Sequence, residues 1–366
     1  MTAVLRGLGV GLPNHSADRE ESVAYGRMIS CATEEHHRLL PALYRMVGVR
    51  RRYSVILEAP DGPAADRQSF YPPPNGPDDK GPTVGQRMQR YATEAGPLAE
   101  TAARAALTDA GCASESITHL VTVSCSGFAA PGIDYALIER LGLPSTVERV
   151  NVGFMGCHGA LNGLRVAKGL AADAGTGARI LLCAVELCSL HYHYGWDPEQ
   201  VVANALFADG AAAAVVGGGG DSSCEQAWRV HATGSRLIPD SEDAMTWRIG
   251  DHGFEMTLSA RVPELIADNL PGWVESFLDR HGMAPADIAS WAVHPGGPRI
   301  LNAVDKCLGL GGGALDMSRS VLRDYGNMSS PTTLFILKQL RDDAAETPCM
   351  ALGFGPGLTA EAVLFT

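Results

Sequence analysis

Three residues in this chain are of types that could carry nucleophilic or proton-transfer chemistry. Cys157 lies in NVGFMGCHGALNG, His294 in SWAVHPGGPRI and Asn327 in YGNMSSPTT. Gly153, Gly156 and Gly159 allow a tight turn between a strand and a helix, with the thiol at the helix start. Unpaired backbone N–H groups and the helix dipole there favour the thiolate, the nucleophilic form. That signal is not specific by itself, because most cysteines among apolar neighbours are inert core residues. Cys31, Cys112, Cys183, Cys224, Cys307 and Cys349 are read as such. His294 ends the strand pattern IASWAV and enters a stiff Pro-Gly-Gly turn, from which an imidazole could face a cleft. A hydrogen-bonded surface histidine is the plainer alternative. Asn327 stands just ahead of a helical pattern and could be a simple helix cap. GFGPGLT (353–359) is either a tight turn or backbone shaped around a ligand. CAVELCSLHYH offers Cys183, Cys188, His191 and His193, but the spacing fits no common zinc site, and no metal is expected.

The elements that must position these groups can be read from periodicity. A helical pattern runs from Val84 to a capping Gly111, and another covers GALNGLRVAKGLAAD (159–173). Apolar runs of strand length occupy 119–124, 178–185 and 211–218, and a further helix starts at Pro331. Residues 59–83, rich in Pro and Gly, read as a surface excursion. Strands alternating with helices predict an α/β sheet covered on both faces. Segment 107–126 also resembles 278–297 at a constant offset, pairing Gly111 with Gly282, Ala113 with Ala284 and Ile117 with Ile288. Carried further, that offset sets Cys157 opposite the neighbourhood of Asn327. A duplicated fold whose two central helix starts meet at one place is therefore expected.

Composition narrows the function. The chain has 366 residues, 46% hydrophobic and 19% charged, enough for a sizeable core. Lys+Arg 29 against Asp+Glu 41 leaves −12, which disfavours nucleic acid and anionic membranes as partners. No apolar run reaches the roughly 18 residues of a membrane span. Arg6 interrupts the apolar start, so no leader is expected. Nine scattered cysteines, an odd number, suit reduced thiols in a cytoplasmic protein.

Taken together, the motifs resemble those of the type III polyketide synthases, the chalcone and stilbene synthase family. The resemblance covers essentially the whole chain and rests on the GC turn at Cys157, ALFADGAAA (205–213), HPGGP (294–298), YGNMSS (325–330) and GFGPG (353–357). ITHLVTVSCSG followed by PGIDYALIERLGL adds to it. It implies an α/β thiolase fold, a duplicated αβαβα five-layer architecture. The expected halves are 1–225, bearing the nucleophile, and 226–366, bearing the histidine and asparagine. It further implies Cys157, His294 and Asn327 as catalytic residues and Phe207 as an aromatic gatekeeper, with a core aromatic as the alternative. Arg50, Arg51 and Arg52 fall where the family carries basic residues for coenzyme A phosphates. Ser329, Gly355, Pro356 and Gly357 belong to motifs that shape the substrate site. The implied reaction loads an acyl-CoA starter on a Cys157 thiolate paired with protonated His294. Decarboxylative condensation with malonyl-CoA then extends it, and ring closure gives a pyrone or resorcinol-type product. No cofactor beyond coenzyme A thioester substrates is implied, and the protein would be a homodimer.

Departures from the plant pattern point to a bacterial-type enzyme. Cys125 replaces a Thr beside a retained Ser126, Met256 replaces a second gatekeeper Phe, and His191 replaces a cavity Thr. Ala130 falls where plant enzymes push a Met into the neighbouring subunit's cavity, and Trp247 falls near a position that is often Gly. These changes suggest a channel for an aliphatic starter, with closure around short starters as the alternative. The competing activities are a single condensation like that of ketoacyl-acyl-carrier-protein synthase III, and a non-catalytic acyl-CoA-binding homologue.

Overall fold

The computed structural model describes residues 3–219 and 228–366. Cys224 and the expected boundary between the halves lie outside the described residues. The first part runs β1 (Ala3–Gly11), β2 (Ser16–Asp18), α1 (Arg19–Ser30), α2 (Glu34–Met46), β3 (Arg51–Tyr53), α3 (Val84–Asp109) and β4 (His119–Ser124). It continues with α4 (Ile133–Leu141), β5 (Glu148–Gly153), α5 (Gly159–Ala174), β6 (Arg179–Leu187), α6 (Pro198–Leu206) and β7 (Asp209–Gly218). After the break come β8 (Arg229–Leu237), β9 (Met245–Gly250), β10 (Gly253–Leu258), α7 (Val262–Asp279), β11 (Ser290–Val293) and α8 (Pro298–Leu308). The chain ends with α9 (Asp316–Tyr325), α10 (Pro331–Asp342), β12 (Cys349–Gly355) and β13 (Thr359–Phe365).

Local sequence accounts for the main helices. Thr83 and Gln86 form a reciprocal capping box that starts α3. Asp197 caps α6 through the Glu199 and Gln200 N–H groups, and Pro198 fits its first turn. Helix α10 also opens on a proline, Pro331, and is buried along nearly its whole length.

The strand order, β11-β12-β13-β8-β1-β7-β6-β4-β5, carries the duplication. From its middle outward, β1-β7-β6-β4 mirrors β8-β13-β12-β11. In each half the first two pairings are antiparallel and the third is parallel. Within the main sheet the described strands of the two halves pair at Ala3↔Val230 and Val4↔Arg229. Three apolar clusters mark the layer boundaries. One lies between α3 and the first half-sheet, one surrounds α5 and α10 between the half-sheets, and one packs α7 and α8 on the second half-sheet. This is the five-layer α/β arrangement expected of a thiolase fold. Strands β9 and β10 form a separate two-stranded sheet.

Residues 59–83 lack regular structure, as expected, but they are not a loose excursion. Arg67 is buried and donates to Ala59 O, Glu21 and Ser16 O, while the fully buried Tyr71 donates its hydroxyl to Ser189 O. Hydrogen bonding by these two side chains ties the segment down where backbone ladders do not. The middle layer should be the least tolerant of lost volume. Leu334→Ala in α10, at a fully buried position, should cost about 2–5 kcal/mol, read from denaturant midpoints. A loss below about 1 kcal/mol would show that this layer is not tightly packed.

Candidate active site

The nucleophile turn is built by close backbone approach. Strand β5 ends at Gly153, and a short 3-10 turn at Gly156–His158 leads directly into α5. Gly156 has φ +70, and a Cβ there would lie 2.3 Å from Pro356 Cδ. Only glycine lets the Cys157 turn press against the turn between β12 and β13. The Cys157 side chain is buried and lies within hydrogen-bonding reach of Ser329 and Asn327. Burial pushes its thiol up to about 11, against the lowering effect of those two bonds, while the Glu186 charge pushes it the same way as burial.

His294 follows β11, and its N–H donates to Leu352 O at 2.8 Å, which fixes it to β12. Its ring is buried, and neither Nδ1 nor Nε2 has a protein partner. Burial, followed by the charge of His158, holds its pKa down to about 3. Asn327 is held by a parallel bridge to Phe207: its N–H donates to Leu206 O at 3.0 Å, and Ala208 N–H donates to its carbonyl at 2.9 Å. Its Oδ1 accepts Ser329 N–H at 2.8 Å, so the amide NH2 is left to act as donor.

Cys157, His294 and Asn327 line one chamber together with Phe207, Met256 and Phe354. A larger chamber of about 620 Å³ continues inward, and Cys157, Phe207, Met245 and Met256 border both. Cys125, Ser126, His191, Ser329 and Pro356 line the inner one, as does Trp247, whose position in the sequence does not by itself place it there. Trp247 Nε1 donates to Cys125 O at 2.8 Å. His191 donates from Nε2 to Ser126 O at 2.6 Å and accepts Phe254 N–H at Nδ1. Both of its nitrogens are therefore engaged, and Cys183 is turned toward Ala99 O in the core. Among the described residues no three His, Cys, Asp or Glu side chains gather closely enough to hold a metal ion.

Sequence reasoning missed Glu186, which has no exposed surface yet borders the inner chamber. It accepts from Cys125 N–H, from Ser126 N–H and Oγ, and from Ser330 Oγ at 2.7 Å. Burial raises its pKa against the pull of those bonds. A lone acid at the end of the apolar run ARILLCAVEL was the available signal.

The sequence of this chain matches the family described as chalcone and stilbene synthases, through the N-terminal domain over residues 1–220 and the C-terminal domain over 229–366. The chain belongs to this family. It is 33% identical over 373 residues to Type III polyketide synthase C of Arabidopsis thaliana, covering 99% of this chain and 94% of that one. It is 39% identical over 284 residues to 1,3,6,8-tetrahydroxynaphthalene synthase of Streptomyces peucetius subsp. caesius, covering 76% and 75%. Among solved structures, PKS-I of the brown alga Ectocarpus siliculosus superposes with TM-score 0.90 at 33% identity, covering 100% and 98%. The type III domain of Steely1 from Dictyostelium gives 0.88 at 27% identity, covering 100% and 99%.

As a type III polyketide synthase, the chain is an acyltransferase of the decarboxylative condensation class. Some sequence expectations need correction. Arg52 does not face solvent with Arg50 and Arg51: alternation along β3 turns it inward, where it donates to Asn204 O between the rings of Tyr44 and Tyr192. Ala130 is exposed and lines neither chamber of its own chain, which does not bear on its expected place at the neighbouring subunit's cavity. Gly355 and Gly357 do not line them either; Gly355 packs on His158, where a Cβ would lie 2.5 Å from Cδ2. Burial pushes the Cys157 thiol up and the His294 imidazole down, so enclosure by itself favours the neutral form of both groups. Transfer of the thiol proton to His294, which lines the same chamber, would create two opposite charges that stabilise each other. Removing the proton acceptor in His294→Ala should therefore move the pH profile of Cys157 alkylation to higher pH. An unchanged profile would show that His294 plays no part in thiol ionisation.

Proposed function

We propose that this synthase loads an acyl-CoA starter on Cys157, extends it with malonyl-CoA and closes the chain to a pyrone or resorcinol-type product. The observation that carries this reading is the convergence of Cys157, His294 and Asn327 on one buried chamber. In loading, the Cys157 proton passes to His294 and sulfur attacks the thioester carbon. The C–S bond to coenzyme A then breaks, and the leaving thiolate takes the proton from His294. In extension, the C–CO2 bond of malonyl-CoA breaks and its electrons pass to the thioester oxygen. That oxyanion is stabilised by the Asn327 amide and one N–H of neutral His294. The enolate carbon attacks the Cys157 acyl group and returns sulfur as the thiolate. Arg50 and Arg51, with Arg19 in the same cleft, are proposed to meet coenzyme A phosphates. No other cofactor takes part.

A cytoplasmic homodimer with halves 1–225 and 226–366 completes the proposal. No described helix is long and apolar enough to cross a membrane. The dimer is supported by β5, an edge strand whose first four residues are exposed, flanked by exposed Phe128 and Met155. The starter is proposed to be short, because Trp247 and His191 are pinned across the inner wall rather than leaving a channel.

The reading is tested by mass spectrometry of products from purified enzyme, malonyl-CoA and a graded set of acyl-CoA starters. Products of two or more condensations support it, and a single condensation overturns it. Cys157→Ala should abolish acyl-enzyme formation while leaving some malonyl-CoA decarboxylation. Asn327→Ala should lower decarboxylation by about a hundredfold to a thousandfold while Cys157 still acylates. Acyl mass on the alanine variant of Cys157 would place loading elsewhere. Trp247→Ala should lengthen the longest accepted starter; an unchanged limit would show that another wall sets it.

A further inference from the structure

A second cleft, about 340 Å³ of free space with its open side included, adjoins the inner chamber and shares Tyr192 with it. Its polar wall is made of hydrogen-bond donors. Arg52 is buried, donates Nη1 to Asn204 O, and has tyrosines rather than carboxylates as its nearest charge partners. The Tyr25 hydroxyl is buried in the same wall with no partner. Ser22, also in the wall, is buried. The acceptors nearby are already used. Asp209 is held by Ser189 N–H, Ser189 Oγ and Val55 N–H, and the Gln68 amide is engaged by Ala65 and Tyr71. Burial keeps the Tyr25 phenol protonated and therefore a donor. The opposite wall is apolar: Ala17, Ile56, Leu57 and Ala64.

A buried cation without a counter-ion is costly, and a donor surplus around it calls for an anionic oxygen ligand. One guanidinium balances one charge, and the apolar wall needs a carbon tail. We infer that this cleft is a binding site for a small monocarboxylate, its carboxylate on Arg52, Tyr25 and Ser22 and its tail against Ile56 and Leu57. Inorganic phosphate fits less well, since it brings more charge and no tail. The site does not include the reacting groups, but Arg52 and Ser22 also line the cleft of Arg50 and Arg51, and the site touches the gate. Arg52 also holds Asn204 of α6, whose last turn leads into Phe207. Occupancy should therefore alter KM for acyl-CoA more than kcat, a kinetic arm that rests on the proposed function; the binding arm does not.

The experiment is calorimetry of the full chain with benzoate and hexanoate, phosphate as control, and a crystal soaked in 4-bromobenzoate. One carboxylate should bind per chain, with bromine density beside Tyr25 and Arg52. Tyr25→Phe should weaken binding by about tenfold or more without changing the melting temperature or the acylation of Cys157. If that variant does not fold, Leu57→Phe, which fills the cleft from its apolar end, should abolish binding instead. Undiminished binding in the folded variant, bromine only in the reaction chamber, phosphate binding as tightly as benzoate, or no binding at all would each overturn the assignment.

Discussion

A carboxylate shut away from water has to find its donors inside the protein, and Glu186 finds them from both halves of the molecule. Cys125 and Ser126 come from the end of β4, and Ser330 from the start of α10. Losing any of these donors would leave buried charge unsatisfied, an expensive state. The segments around Glu186 are thus fixed relative to one another. Ser329 and Asn327 immediately precede Ser330, and Cys125 Sγ accepts Gly156 N–H at 3.0 Å beside the nucleophile. The reacting groups inherit their placement from this satisfied charge.

Much of this arrangement was legible in the sequence, and what was not has physical reasons. Strand β4 spans 119–124 as its apolar run predicts, and α5 follows the 159–173 pattern closely. Local periodicity sets such elements, so a single chain reveals them. The sparse repeat between 107–126 and 278–297 proved to be a mirrored strand order, which no local pattern could supply. Cys157, His294 and Asn327 stood out because each sits in a glycine- or proline-marked turn, and their joint role came from the family resemblance that those motifs carry. Glu186 has no such marker; its role depends on donors far away in sequence. Arg50, Arg51 and Arg52 look alike as letters, yet a strand reverses faces at every residue. Trp247 reaches the cavity only through pairing of β9 with β10, where it lies opposite Met256.

The charge state of the centre also depends on enclosure. Solvent would let a thiol and an imidazole ionise independently; here each is favoured as neutral because neither charge has water around it. A neutral imidazole still donates one hydrogen bond, and in the proposed extension step that bond would hold the enolate oxygen. The same enclosure that delays ionisation would therefore suit the later half of the proposed reaction.

The β9–β10 hairpin stands apart from the main sheet. Its inward face supplies Met245, Trp247, Phe254 and Met256 to the chamber walls. Bond-making groups sit on the duplicated framework, whereas much of the mould that shapes the growing chain sits on an appendage with its own hydrogen-bond ladder. Such a division makes the hairpin a replaceable part: its side chains can be exchanged as a set, altering what is made while the machinery that makes it keeps its registration.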